Sequence, residues 1–140
     1  MDKNLQPGIK FDRIFLSKLQ YELPETPPDK FKYNFNFLNK SRIDNNQLIY
    51  VMAIQLYDRF ELEITGIFSV IEGAENMPLE EFAKVNAPTL LLPFAREMIS
   101  NITAKSPLPH LLIPPINILA LSKKSKPQEP TKKQLQSKKL

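Results

Sequence analysis

The sequence predicts an α+β fold: a four-stranded antiparallel sheet packed with one long helix and one short C-terminal helix. Two observations carry this. Apolar stretches of strand character fill the first half of the chain and are joined by tight turns and one longer crossover, the layout of an antiparallel sheet. Helical spacing of apolar residues begins only after the last of these stretches, so helices and strands are segregated along the chain.

Residues 9–23 open the sheet. Ile9 and Phe11, then Ile14 and Leu16, then Leu19 and Tyr21 alternate in pairs, with the register changing near Arg13 and near Ser17. That is a long strand interrupted by bulges or a bend. Pro24, Pro27 and Pro28 end it and begin the crossover. Phe31, Tyr33, Phe35 and Phe37 then alternate with Lys32, Asn34 and Asn36 in strict period two, which predicts a second strand with one aromatic face. Asp44-Asn45-Asn46 is a turn. Residues 47–57, QLIYVMAIQLY, are apolar on both faces and predict an inner strand. Asp58-Arg59 turns the chain into a fourth strand over residues 60–71.

Residues 77–85 predict a short helix, with Pro78 in its first turn and Glu80 and Glu81 near its positive end. The long helix is expected over residues 88–105, capped by Asn86 and spanning about 27 Å. Leu91, Leu92, Ala95, Met98, Ile99 and Ile102 form its apolar stripe, with Arg96, Glu97, Ser100, Asn101 and Thr103 opposite. Pro93 lies inside it and should bend its first turns. The stretch PLPHLLIPPIN, residues 107–117, holds four prolines and cannot be helical. Oily and extended, it is expected to fold as a lid over an apolar groove. Asn117 then caps a second, short C-terminal helix.

Length and composition bound the function. The 140 residues suffice for one domain. With no cysteine there is no disulfide, thiolate ligand or thiol nucleophile. Three glycines and one histidine leave little for a phosphate cradle or a nucleophile–base pair, so the chain is not expected to be an enzyme or to need a cofactor. No apolar leader and no run long enough to span a bilayer is seen, which points to a cytoplasmic protein without membrane insertion. Residues 121–140 hold seven of the nineteen basic residues and one of the fifteen acids, leaving 12 basic and 14 acidic groups in the first 120 residues. The body is therefore faintly acidic and the basicity sits in residues 122–140, expected to be a disordered tail. A nucleic-acid surface would place that charge on the fold.

Gly66-Ile67-Phe68-Ser69, Ala87-Pro88, Leu91-Leu92-Pro93-Phe94-Ala95-Arg96-Glu97, Ile99-Ser100 and Leu112-x-Pro114-Pro115-Ile116-Asn117 together resemble the SecB family of protein-export chaperones. The resemblance covers about residues 9–121 and makes residues 1–121 a SecB-like peptide-binding domain. It implies an ATP-independent holdase, a homotetramer built as a dimer of dimers, and unfolded or non-native polypeptides as ligands. Carried over residue by residue, the peptide groove falls on Phe31, Tyr33, Phe35, Phe37, Leu108, Leu111, Ile113 and Ile116. Contacts to the SecA motor fall on Glu22 and Glu61, while Lys18 stands where the family has another acid. The second helix departs too, since Asn117-Ile118-Leu119-Ala120-Leu121 soon gives way to lysines. An adaptor dedicated to one partner, such as an antitoxin, is the alternative.

Other readings stand beside these. Alternating aromatics also describe a strand facing a core, and the helix stripe also describes an intra- or intersubunit core. His110 reads as a surface residue, and Glu61 and Glu63 lack the neighbours a metal site needs. For capture to work, apolar side chains near the lid must stay reachable from solvent.

Overall fold

Sheet order follows from which strands can afford burial on both sides. In the computed structural model, which describes residues 7–113, β3 (Gln47–Tyr57) and β4 (Phe60–Val70) are the inner strands. β1 (Ile9–Tyr21) and β2 (Asn36–Asp44) are the edges, in the order β1-β4-β3-β2, with all neighbours antiparallel. The predicted four-stranded antiparallel sheet is present. Asn45 and Asn46 both take positive φ, 50° and 62°, which matches the turn twist to that of the β2–β3 hairpin. The register of β1 against β4 slips between Phe11 and Arg13 and again between Leu16 and Lys18, at the two breaks in alternation seen in the sequence.

Two helices cover one face of the sheet. α1 (Leu79–Lys84) starts at Pro78, whose carbonyl accepts from the Glu81 and Phe82 amides. α2 (Asn86–Ala104) follows after Val85 alone. Asn86 is therefore the first helical residue, not the cap: α1 ends so close that Val85 must serve as the flanking residue, and no side chain caps it. α2 is one long bent helix with Pro93 inside it, where the bond to the Thr89 carbonyl has no donor.

Burial follows this layout. Leu48, Tyr50, Met52, Ile54 and Leu56 of β3 join Phe60, Leu62, Ile64 and Phe68 of β4 under Leu91, Ala95 and Ile99 of α2. Gly66 lies directly beneath α2. A Cβ built there would stand 2.8 Å from Leu91 Cδ2 and 3.2 Å from Phe68 Cε2, so a side chain at this position would force Leu91 out of its seat on the strand. On α1, Phe82 packs edge-on against Phe68 at 5.0 Å between ring centres. The short C-terminal helix and the basic tail fall outside the described residues.

Candidate functional site

The crossover must carry the chain from one sheet edge to the other, across the end where β3 turns into β4. It is fastened at both ends: the Glu22 amide donates to the Arg59 carbonyl and the Asn34 amide to the Leu56 carbonyl, each at 3.0 Å. Between them lie a single helical turn at Pro28–Lys30 and the aromatic ladder. Phe31, Tyr33 and Phe35 are not in a strand, contrary to expectation, because β2 starts at Asn36 opposite Gln55 and the β3–β4 register slips just beyond it. Phe37 alone of the four lies on the strand.

The ladder still converges. Phe31 meets Tyr33 and Tyr57 edge-on, both at 4.9 Å, and Tyr57 meets Phe60 at 5.8 Å. Phe35 stacks on Phe37 at 6.1 Å with planes 9° apart. Phe31, Tyr33 and Phe37 are half-buried, and Phe35 keeps 39 % of its surface exposed. Burial, reinforced by neighbouring tyrosines, pushes the Tyr33 hydroxyl up to about 12. Burial does the same to Tyr57, whose hydroxyl donates to the Glu22 carbonyl. Both stay protonated donors at neutral pH.

The chain after α2 folds back as a lid. Thr103, placed by its spacing on the polar side of the helix, is 1 % exposed. Its hydroxyl donates to the Ile99 carbonyl at 2.9 Å and accepts the Leu111 amide at 3.0 Å, so a polar residue is buried because the lid backbone needs its oxygen. Ser106 accepts the Leu108 amide at 3.2 Å, and Ser100 bonds His110 Nε2 at 2.9 Å. Tyr33 closes the ring by donating to the Pro109 carbonyl at 2.9 Å, which ties the crossover to the lid.

The lid divides its apolar residues between inside and outside. Leu108 and Ile113 are 4 % exposed and anchor it in the fold. Leu111 is half-buried against the core, and Leu112 is 67 % exposed. Ile116 lies outside the described residues. Leu112 was passed over as a site residue, although three consecutive apolar positions in an extended segment must turn at least one outward. A shallow depression beside the lid is lined by Pro93, Arg96, Glu97, Ser100, Leu112 and Ile113.

The two acids proposed as partner contacts are each engaged within the chain. Glu61 pairs with Lys18 at 3.0 Å, and Glu22 lies 3.9 Å from Arg59, which also holds Glu25 at 2.9 Å. Among the described residues no cluster of three acids or histidines could hold a metal, and no helix is long and apolar enough to cross a membrane.

Comparison with known proteins places this geometry in a family. Residues 2–129 match the family described as preprotein translocase subunit SecB. The protein-export protein SecB of Marinobacter nauticus is 30% identical over 130 residues, covering 83% of this chain and 78% of that protein. A protein of Methanocaldococcus jannaschii with no described function is 28% identical over 128 residues, covering 81% and 82%. Among solved structures, the SecB-like chaperone Rv1957 of Mycobacterium tuberculosis, in complex with a ChAD peptide from the HigA1 antitoxin, superposes with a TM-score of 0.63. That match has 17% sequence identity and covers 81% of this chain and 94% of the other. With its matched segment spanning sheet, helices and lid, the chain belongs to the SecB family.

Proposed function

We propose that the protein is an ATP-independent holdase, which captures unfolded polypeptides between the aromatic crossover and the lid. The observation that supports this is the incomplete burial of Phe31, Tyr33, Phe35, Phe37 and Leu111 around the Tyr33–Pro109 bond. An extended client offers spaced apolar side chains and free backbone groups, which suit an open apolar strip better than a polar constellation. Aromatic side chains bury roughly 150–250 Å² each, so a few half-covered rings supply several kcal/mol at about 25 cal/mol/Å². Ordering the client offsets about 2–5 kcal/mol, so each site binds modestly and repetition in an oligomer raises avidity. Leu108 and Ile113 serve this reading as anchors that hold the lid in place rather than as contact area.

The test is suppression of aggregation of a slowly folding client, without nucleotide. Near-stoichiometric protein is expected to suppress it, and Phe35→Asp with Leu111→Asp is expected to weaken capture by about tenfold or more. A folded wild-type protein that leaves aggregation unchanged overturns the reading. The antitoxin peptide in the Mycobacterium tuberculosis complex favours a second reading, an adaptor for one dedicated partner. Affinity capture separates them: a mixture of non-native clients fits the holdase, a single stoichiometric protein the adaptor. Export through the SecA motor would require Glu22 and Glu61 to exchange their own-chain cations for the motor's, so client capture is the primary activity in this reading.

A further inference from the structure

The sheet has a second face, opposite α1, α2 and the lid, and the cross-strand registers lay it out in rows. One row reads Arg13, Ile67, Ile49, Arg42, and the next Phe15, Thr65, Val51, Lys40. In both rows the inner strands supply an apolar or small floor. The edge strands supply Arg13 on one side and Arg42 and Lys40 on the other, with no acid in either row. Strands stand about 4.8 Å apart, so the flanking guanidiniums bracket a floor roughly 14 Å wide, room for an extended chain. Ile49, Val51 and Ile67 are half-buried, and the three cations are exposed.

These cations differ from the other two on the sheet strands, Lys10 and Lys18, and from Arg59 in the β3–β4 turn. Lys18 is committed to Glu61, Lys10 to Asp12 and Arg59 to Glu22 and Glu25. Arg13, Lys40 and Arg42 have no acidic partner among the described residues. Arg13 instead lies over the Phe15 ring, 4.9 Å from its centre, which holds its charge above the face.

We propose that this face docks an acidic, partly apolar peptide segment of another protein. Carboxylates would meet Arg13, Lys40 and Arg42, with the guanidiniums able to bind them in bidentate fashion, while aliphatic side chains settle on Ile49, Val51 and Ile67. Charge complementarity selects this occupant, since Arg13, Lys40 and Arg42 outnumber Asp44 and Glu63, the acids without an ion-pair partner in the two flanking rows of the face. A basic segment is repelled, and the chain's own residues 121–140, with seven lysines and one acid, have the wrong sign. The surface is separate from client capture, which lies across the sheet.

Fluorescence anisotropy on the full chain tests it, with a labelled peptide alternating Glu and Leu and the same peptide with Lys for Glu. The Glu peptide is expected to bind about tenfold or more tightly than the Lys peptide and to weaken as salt rises. Arg13→Glu with Arg42→Glu is expected to abolish that preference, and Arg13→Gln with Arg42→Gln, which removes charge without repulsion, to reduce it several-fold. The Gln pair decides if the Glu pair fails to fold. Phe35→Asp is expected to leave the preference intact. Equal binding of the two peptides, or a preference undiminished in the Gln pair, overturns the proposal. So does a change of assembly mass in the Gln pair, which would assign the face to a second copy.

Discussion

Thr103 joins two segments through one hydroxyl, donating backward into α2 and accepting from the Leu111 amide. Thr103→Val keeps the shape and leaves that amide without its partner in a part-buried setting. The loss is expected to be about 1–3 kcal/mol, read as a lower thermal midpoint and faster hydrogen exchange at Leu111, with Thr103→Ser close to wild type. Sequence spacing put Thr103 among the polar residues of the helix because periodicity registers side-chain character and not the hydrogen bonds of a distant loop. Leu111 and Leu112 show the same limit: adjacent leucines in a loop carry no period that says which one turns outward. Gly66 shows the opposite case, since a lone glycine in an apolar strand already marks a close approach.

At the level of elements, the inner strands, both hairpin turns, the bulged first strand and both described helices were legible, because each rests on local pattern. The second strand was misplaced at its start, since Phe31, Tyr33 and Phe35 alternate as a strand does but face a neighbour whose register slips beyond Gln55. Alternation records exposure on two sides and does not record where a partner's hydrogen bonds stop. The aromatic knot that replaces the missing strand end sets a pH response. Tyr33 and Tyr57 have hydroxyls raised from an ordinary 10.0 to about 12, so the folded state keeps protons that the unfolded chain releases. Their contribution is whole below pH 10 and is lost as pH rises through 10 toward 12. Thermal midpoints are expected to fall across that window, in step with the rise of phenolate absorbance. Tyr33→Phe with Tyr57→Phe is expected to make the decline shallower, leaving the share of Tyr50, whose hydroxyl burial also pushes up.

For the whole molecule, apolar surface remains exposed among the described residues. Leu16 and Leu19 lie exposed on the helix side of β1, and α2 leaves Leu90 and Phe94 exposed four residues apart on one face. Phe94 reaches the ring of Phe11 edge-on at 6.5 Å, so this helix face adjoins the β1 edge. Patches of this kind are covered by association. The protein is expected to run in sedimentation at a multiple of its 16.2 kDa chain mass, and Leu19→Glu with Phe94→Glu to reduce that mass, while Phe35→Asp leaves it unchanged. A wild-type monomer would refute self-association. The sequence showed the stripe of α2 but not which apolar residues a single copy leaves uncovered, since that depends on where helix and sheet edges meet in space.

The bond between Tyr33 and the Pro109 carbonyl joins crossover and lid into a single moving part. In the capture proposed above, a guest chain that lifts the lid would strain the crossover through this latch, with the buried Leu108 and Ile113 resisting from beneath. Entry would then turn less on how greasy the guest is than on whether it can cover enough of the crossover and lid at once to outweigh one broken latch. Short greasy fragments would be turned away, and long floppy ones admitted.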